Sequence, residues 1–322
     1  MSIDAIRACV LADVNAVNTL IVDSIQSDVG LVDSLSHHIV NSGGKRLRPL
    51  LVLLASRACG YQGDDHIKLA AMVEFFHTAT LLHDDVVDES TLRRGKKTAN
   101  EIWGSKASIL VGDFMFTQSV KLLVSLKNQA IFTLMADTSH DITLGEVKQL
   151  NNRHKTDLSI EDYFDVIRSK TALLFAACAA MGAQISQQDD KTIQALYQYG
   201  LKLGNAFQLI DDALDYCSDA DTIGKNIGDD LADGKATLPL IHALKHGTEA
   251  QQHLIKNSLI NGDRTQLPAI LEAIVATHAI EYTKQVANLE IDDALSAIHM
   301  LAPSAYKTSL IQLAHYAVDR DY

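Results

Sequence analysis

Residues 66–89 of this 322-residue chain read HIKLAAMVEFFHTATLLHDDVVDE, an apolar stretch without glycine or proline that ends in a group of aspartates. Apolar side chains recur every three to four residues, which is the period of an α-helix with one buried face. At about 100° per residue, Asp88 lies roughly 40° around this helix from Asp84, and His77 roughly 20° away on the other side. The stretch therefore predicts a long helix with two carboxylates and an imidazole on one face.

The remainder of the chain repeats this helical pattern. Apolar blocks with a helical period alternate with short polar or glycine-containing breaks, and the chain has only four prolines and one tryptophan. We find no internal repeat, low-complexity tract or linker. The sequence predicts an all-α fold, a single large helical bundle around a central cavity, with residues 1–322 as one domain.

Charge and cysteine content limit the possible functions. A net charge of -12 disfavours a nucleic-acid-binding protein, which presents a basic surface to phosphates. Cys9, Cys59, Cys178 and Cys217 are far apart and form no CxxC pair, so neither a zinc site nor a disulfide framework is predicted. No signal peptide and no uncharged apolar run of about 18 residues is evident. We expect a cytoplasmic protein without a membrane span.

Two local patterns predict helix starts. Ser159 precedes Glu161 and Asp162, an N-cap followed by acids in the first turn. Pro303 is a candidate for the first position of a late helix.

The aspartate pattern at the end of residues 66–89 occurs a second time. Residues 204–216 read GNAFQLIDDALDY, with Gln208 on the same helix face as the first aspartate of this copy. One such motif alone is compatible with a solvated helix end, but two copies favour a hard divalent cation that neutralises repelling carboxylates, Mg²⁺ before zinc. The predicted metal ligands are Asp84, Asp85, Asp88, Asp211, Asp212 and Asp215.

Basic residues cluster near the first acidic motif. Residues 42–50 read SGGKRLRPL, where two glycines precede three cationic side chains, and Arg93 and Arg94 follow the aspartates. Each cluster alone is compatible with a solvated surface. Beside a paired metal motif in an acidic chain, they indicate a polyphosphate site instead.

The sequence resembles the trans-isoprenyl diphosphate synthases over nearly its whole length. Seven motifs occur in family order: GGKRLRP, HTATLLHDDVVDES, RRGKKTAN, GEVKQ, SKTA, GNAFQLIDDALDY and GKNIGDDLADGKATLPLIHAL. The resemblance implies that Mg²⁺, three ions per active site, is held by both aspartate motifs on an allylic diphosphate. Loss of pyrophosphate from the allylic diphosphate gives an allylic cation. The double bond of isopentenyl diphosphate attacks this cation, and a proton is then lost. No protein nucleophile is required.

The resemblance also implies roles for individual residues. It assigns the diphosphate of isopentenyl diphosphate to Gly44, Lys45, Arg48, His77 and Arg94. It assigns the allylic diphosphate and cation region to Arg93, Lys170, Thr171, Gln208, Lys225 and Lys235. For His77, an ordinary core histidine is the alternative.

Three other functions are compatible with parts of the sequence. A class I terpene cyclase shares the first motif, but its second metal motif normally has a different pattern. A di-iron carboxylate bundle is indicated by the spacing of Glu74 and His77, with Asp137 and His140 as the nearest second pair. A non-catalytic subunit of a heteromeric synthase is disfavoured because both aspartate motifs are intact.

Small residues before the first motif bear on product length. Thr80 and Ala79 stand four and five residues before Asp84, where short-chain members of the family carry aromatic rings. Gln149 belongs to the motif GEVKQ, which the resemblance places near the metal ions. Met135 lies roughly 21 Å, about four turns, before Gln149 on a predicted helix, so it would lie deep in a tunnel for the growing chain. The residues expected to set chain length are Ala79, Thr80, Leu123, Phe132 and Met135.

These observations and the resemblance predict a long-chain synthase. We expect farnesyl and isopentenyl diphosphates as substrates and octaprenyl (C40) diphosphate as product, destined for the side chain of ubiquinone or menaquinone. C45, C50 and shorter products remain alternatives. Family resemblance also implies a homodimer.

Overall fold

The computed structural model describes residues 2–41, 43–93, 95–217 and 227–320. The helices that it contains there are α1 (Ile3–Arg7), α2 (Leu11–Ser24), α3 (Gly30–Val40), α4 (Leu47–Ala58), α5 (Asp65–Val87), α6 (Ala99–Trp103), α7 (Ser105–Ser125), α8 (Gln129–Asn152), α9 (Ile160–Ile167), α10 (Leu173–Ile185), α11 (Asp190–Leu214), α12 (Asp229–Ala232), α13 (Leu238–His246), α14 (Glu249–Asn261), α15 (Leu267–Ala276), α16 (Ala279–Ala297) and α17 (Ala305–Val318). A 3₁₀ turn spans Ala8–Val10 and a π-helical segment spans Arg168–Ala172.

The strands within these residues are one short antiparallel pair, β1 (Leu92–Arg93) and β2 (Lys96–Lys97). The predicted all-α class is confirmed. The predicted N-cap at Ser159 is also confirmed, because its side chain and that of Asp162 form a capping box at the start of α9. The prediction for Pro303 is wrong: α17 begins at Ala305, and the backbone N–H of Thr308 donates to the carbonyl of Ser304.

The chain divides into two compact units. The first contains Met1–Ala136, Ala177–Tyr197 and Met300–Leu313, and the second contains Asp137–Ala176, Gln198–His299 and Ala314–Tyr322. The expectations of a single domain and of a central cavity stay predictions.

Helix α5 is the central element of the first unit. It packs against α2, α4 and α7, and it buries Leu69, Met72, Phe75 and Leu82 completely or almost completely. The predicted helix of residues 66–89 is thus present, and its last turn carries the first aspartates. Apolar burial along 23 residues holds this acidic end in place.

In the second unit, α13 packs against α14, α15 and α16. Helix α11 approaches the π-helical segment so closely that a Cβ atom on Gly204 would lie 2.5 Å from Cα of Ala172. Only glycine permits this approach, which brings Gln208 on α11 next to Thr171. The position of one glycine therefore helps to assemble the predicted allylic residues.

Three helical segments of the described residues are long and apolar enough to cross a membrane by length and composition: Ile3–Ser24, Ser105–Ser125 and Ile160–Ile185. Each of these segments contains charged residues, whereas the sequence expectation was based on uncharged runs. Burial covers 72% of the apolar window in Ile160–Ile185 and 22% in Ile3–Ser24. The absence of a membrane span stays a prediction.

Candidate active site

The first aspartate motif stands at the C-terminal end of α5. Asp84 and Asp85 belong to its last turn, and Asp88 caps the helix, with its backbone N–H donating to the carbonyl of Asp84 at 2.8 Å. A helix C-terminus carries partial negative charge, so carboxylates there are unfavourable unless cations compensate them. The fold itself therefore requires positive charge at this end.

Arg93 on β1 supplies part of that charge. Its Nε and Nη2 donate to Oδ1 of Asp85 at 2.9 and 2.7 Å, and the side chain of Asp85 has no exposed surface. The other carboxylate oxygen, Oδ2, is buried and has no hydrogen-bond partner among the described residues. Asp85 and Arg93, predicted as a metal ligand and a diphosphate ligand, thus form an ion pair in which the carboxylate is fully buried and the arginine is partly exposed.

The glycine-rich segment before α4 places two predicted diphosphate residues together. Nη1 of Arg48 donates to Nε2 of His77 at 3.0 Å, so this histidine nitrogen acts as an acceptor. Gly44 has a positive φ of 138° and is exposed, and Lys45 is half-buried beside it. The first unit therefore presents an exposed glycine, Lys45 and Arg48 along one short segment, and His77 on α5 beside Arg48.

Arg46 has a different role from its neighbours. It adopts a left-handed conformation (φ 45°), donates to Asn18 and lies 3.6 Å from Glu74. Glu74 therefore contacts one arginine while His77 contacts another. In these contacts, neither Glu74 nor His77 meets another carboxylate, as both would in a di-iron carboxylate bundle.

The second aspartate motif repeats the arrangement of the first. Asp211 and Asp212 lie in the last turn of α11, and Asp215 follows its last residue, with its N–H donating to the carbonyl of Asp211 at 3.2 Å. The N–H of Asp230, at the start of α12, donates to Oδ2 of Asp215. Both motifs thus concentrate carboxylates at the negative end of a helix.

Asp212 is the buried member of this motif. The phenol of Tyr163 donates to its Oδ2 at 2.6 Å, and Nε2 of Gln208 donates to its Oδ1 at 2.7 Å. Thr171 in turn donates to Gln208 at 2.7 Å. Burial, assisted by the charge of Asp230, raises the pKa of Asp212 to about 8. The network holds the carboxylate in one orientation.

Two predicted lysines of the second unit, Lys170 and Lys235, donate to side-chain acceptors. Lys170 lies in the π-helical segment and donates to Glu146 at 3.0 Å and to Gln149 at 2.8 Å. Lys235 donates to Asp233 at 2.7 Å. Single-turn π segments inside helices often occur at functional sites.

The predicted chain-length residues lie in the first unit. Ala79 and Met135 are each 2% exposed, and Leu123 is buried. Thr80 is half-buried and donates to the carbonyl of His77, while Phe132 is 40% exposed. Arg94 and Lys225, predicted to bind the two diphosphates, lie outside the described residues.

Sequence analysis did not single out Tyr163, Asp230 or Arg320. Asp230 was visible within the motif GKNIGDDLADGK as one of two adjacent acids. Tyr163 and Arg320 are 49 and 109 residues away along the chain from the aspartates that they contact, Asp212 and Asp211. Neither residue carried a sequence signal, since only the tertiary fold creates these pairs.

The carboxylates fit a hard divalent cation by chemistry. Oxygen donors are what Mg²⁺ and Ca²⁺ prefer, and within the described part of the chain Oδ2 of Asp85 is a buried oxygen without a hydrogen-bond partner. Within the described residues, no group of three or more His, Cys, Asp or Glu side chains forms a ready metal site. Further ligands would come from water or diphosphate oxygens, as is usual for Mg²⁺.

Comparisons with known proteins agree with the fold. The polyprenyl synthetase family model matches residues 29–277. The chain is 45% identical over 325 residues to octaprenyl diphosphate synthase of Escherichia coli (strain K12), with 100% of both chains covered. It is 43% identical over 316 residues to all-trans-nonaprenyl-diphosphate synthase (geranyl-diphosphate specific) of Rhodobacter capsulatus, covering 98% of this chain and 97% of that one.

A solved structure extends this similarity to three dimensions. Polyprenyl synthase from Caulobacter crescentus CB15, crystallised with calcium and isoprenyl diphosphate, superposes with a TM-score of 0.96 at 42% identity, covering 100% of this chain and 98% of that one. Sequence and fold together define an all-α prenyltransferase. The chain belongs to the polyprenyl synthetase family.

Proposed function

We propose that the chain is an Mg²⁺-dependent synthase that condenses isopentenyl diphosphate head-to-tail with farnesyl diphosphate, repeatedly, to all-trans octaprenyl diphosphate. The observation that carries the proposal is the position of both aspartate motifs at helix C-termini, where uncompensated carboxylates are unfavourable. The family relationship supplies the reaction class. The calcium and isoprenyl diphosphate in the Caulobacter crescentus structure support divalent metal and diphosphate as ligands.

We assign different roles to the aspartates of each motif. Asp84, Asp88, Asp211 and Asp215 would offer oxygens to the divalent ions. When bound, these ions supply positive charge that stabilises the departing pyrophosphate. Asp85 and Asp212 are buried and hydrogen-bonded to the protein, so they orient their neighbours.

The basic residues bind and orient the two diphosphates. Arg48, whose Nη1 contacts His77, would direct other N–H groups towards the diphosphate of isopentenyl diphosphate, with Lys45 and the backbone of Gly44 beside it. Arg94 joins this set in the proposal, as Arg93, Lys225 and Lys235 join the allylic set. Thr171 and Gln208 lie along the hydrogen-bond network that ends at Asp212, and Lys170, next to Thr171 in the chain, is held by Glu146 and Gln149.

Product length is the finer part of the proposal. The octaprenyl relative supports C40, and the nonaprenyl relative at nearly equal identity makes C45 the second candidate. Buried Met135 and Leu123 support a deep limit, while small Ala79 and half-buried Thr80 leave room near the aspartates. A C40 or C45 product serves as a quinone side chain.

The proposal includes a cytoplasmic homodimer. All four cysteines are free thiols, which agrees with a reducing compartment. Helix α7 exposes a row of large apolar side chains at helical spacing, and apolar surface of this kind is usual at subunit interfaces. The row consists of Ile109, Phe116, Val120 and Val124.

The direct test is condensation by the purified chain alone. We expect incorporation of isopentenyl diphosphate in the presence of Mg²⁺ and farnesyl diphosphate, with loss of activity on chelation and recovery on adding Mg²⁺. Chromatography of the dephosphorylated product identifies its length. A chain that needs a second polypeptide for activity would instead be a subunit of a heteromeric synthase.

Variants test the aspartate motifs. Asp84→Ala and Asp211→Ala should each lower kcat by several orders of magnitude while the fold survives. Asp65→Ala and Asp190→Ala are matched controls because these acids lie at the opposite, N-terminal ends of the same helices. Near-normal turnover in either motif variant would exclude the two-motif mechanism.

A further inference from the structure

A buried arginine from the end of the chain contacts the second aspartate motif. Arg320 lies two residues after the end of α17, and its side chain is only 6% exposed. Its Nη2 donates to the backbone carbonyl of Phe207 at 2.5 Å, and the guanidinium carbon lies 3.7 Å from the centroid of the Phe207 ring. The cation is thus fixed against one turn of α11 by a hydrogen bond and a cation–π contact.

This position brings the charge to Asp211. Phe207 precedes Asp211 by one helical turn, and Nη2 of Arg320 lies 3.6 Å from Oδ1 of Asp211. Nε of Arg320 is buried and has no hydrogen-bond partner in the described chain. The side chain of Asp211 is 48% exposed, so a ligand has access to it while Arg320 stays buried behind it.

The electrostatic setting explains why a cation is needed here. Asp211, Asp212 and Asp215 add three carboxyl groups to the negative end of α11, and Asp230 lies next to Asp215. Among the ion pairs of the described residues, Arg320 is the cation paired with Asp211. A buried, fixed cation beside one metal-binding carboxylate would also repel a divalent ion arriving at that carboxylate.

We propose that Arg320 is the resident counter-cation of the second aspartate motif and makes metal binding at Asp211 depend on diphosphate. It holds and neutralises Asp211 in the metal-free protein. A divalent ion alone then meets a carboxylate already compensated, whereas an ion that arrives with a diphosphate brings its own negative charge. The inference rests on the proposed function, in which Asp211 is a metal ligand, and makes Arg320 a positioning residue that acts through Asp211.

Metal binding measured without turnover tests this role. Mn²⁺ is titrated into the full-length protein, alone and with inorganic pyrophosphate, and free Mn²⁺ is followed by electron paramagnetic resonance. For Arg320→Gln we expect about tenfold tighter binding of Mn²⁺ alone, since one repelling charge is removed, and a smaller difference with pyrophosphate. Arg320→Lys, which keeps the charge, should stay close to the wild type.

The control variant is Lys202→Gln. This variant also removes one positive charge. Lys202 lies on α11 more than two turns before Asp211, and it pairs with Glu290 and Asp293. It should leave Mn²⁺ binding unchanged. Unchanged or weaker binding of Mn²⁺ alone in Arg320→Gln would overturn the inference and leave Arg320 as an anchor of the C-terminal segment.

A second measurement covers the possibility that Arg320→Gln does not fold. The metal-free melting temperature of Asp211→Asn should fall below that of wild type, because the buried guanidinium loses its ionic partner. An unchanged or higher melting temperature would contradict the counter-cation role. Failure of the proposed function looks different: Asp211→Asn would then bind Mn²⁺ with pyrophosphate as well as the wild type does.

Discussion

The phenol of Tyr163 donates a 2.6 Å hydrogen bond to Oδ2 of Asp212, and both side chains are buried. Tyr163 belongs to the first turn of α9, whose start is fixed by the capping box of Ser159 and Asp162. The capping box therefore positions Tyr163, and Tyr163 in turn positions a carboxyl group of the second aspartate motif. A local signal at Ser159 has a consequence for a carboxylate 53 residues later in the chain.

Tyr163→Phe should weaken both stability and catalysis. The variant removes one donor from a buried carboxyl group, which costs about 1–3 kcal/mol of unfolding free energy. We also expect kcat to fall more than KM rises, because Asp212 orients the motif without being the binding group for substrate. Urea unfolding and steady-state kinetics measure the two effects.

Tyr282→Phe is the matched control, since the ring of Tyr282 stacks on His242 in the same unit and has no role in this network. It should change neither quantity appreciably. Wild-type kinetics in Tyr163→Phe would show that the hydrogen bond is only structural.

The sequence predicted the helices and the acidic motifs well because both depend on local patterns. Residues 66–89 carry their own period, and the two DDxxD groups are readable without a structure. Burial of individual carboxylates was not predictable. Asp84 and Asp85 are neighbours of identical type, and nothing in the sequence indicated that the side chain of Asp85 would be fully buried against Arg93 of β1. The start of α17 shows the same limit. Pro303 was predicted at its first position, but the helix begins at Ala305, because the side-chain oxygen that caps a helix is determined by the local backbone conformation.

The ion pair of Asp85 and Arg93 leads to a prediction about stability. Arg93→Ala should lower the unfolding free energy by about 3–5 kcal/mol, because it leaves a fully buried carboxylate without its partner. The double variant Arg93→Ala/Asp85→Ala should recover much of this loss. Denaturant unfolding in the absence of metal provides the measurement.

Arg168→Ala is the control for the charge itself. Arg168 and Asp165 form an exposed pair, and such pairs contribute at most about 1 kcal/mol. A double variant as unstable as Arg93→Ala would mean that the ion pair does not account for the loss.

A partly buried cluster in the first unit predicts pH-dependent stability. Arg57 donates to both carboxylate oxygens of Asp13 at 2.8 Å, and Nε2 of the buried His66 lies 3.2 Å from the same carboxylate. The hydrogen bond from Arg57 lowers the pKa of Asp13, and burial lowers the pKa of His66 below its usual 6.5. Both groups therefore bind fewer protons in the folded state than in the unfolded state.

The sign follows from linkage. Unfolded His66 takes up a proton as the pH falls below 6.5 while folded His66 stays neutral, so the unfolding free energy should decrease on acidification. The contribution of Asp13 is present above its unfolded pKa of 3.8 and is lost only at more acidic pH. His66→Phe should reduce the slope of unfolding free energy against pH between 6.5 and 5. An equal slope in the variant would assign it to other groups.

The residue that limits product length at the deep end of the proposed tunnel is tested by replacing large side chains with alanine. Met135 is buried on α8, and Phe76, two turns before Asp84, is buried with its ring 6.2 Å from that of Phe116. If Met135 limits elongation, Met135→Ala lengthens the product distribution, whereas a limit at Phe76 requires Phe76→Ala for the same effect. The variants are compared by chromatography of dephosphorylated products. Unchanged lengths in an active Met135→Ala enzyme would remove this residue from the assignment.

The end of the proposed tunnel near the aspartates is tested by blocking it with a larger side chain. Thr80 lies one turn before Asp84, about 40° around α5, and its hydroxyl donates to the carbonyl of His77 at 2.8 Å. Thr80→Phe places a ring roughly 6 Å along the helix from the aspartate, so elongation should stop near C15 to C20 while the first condensation continues. Thr308→Phe on α17 is the matched control, because Thr308 is exposed and its hydroxyl likewise donates to a backbone carbonyl, that of Ser304. Full-length product from a folded, active Thr80→Phe enzyme would show that the growing chain does not pass this face of α5, and the C40 proposal would then rest on sequence relationship alone.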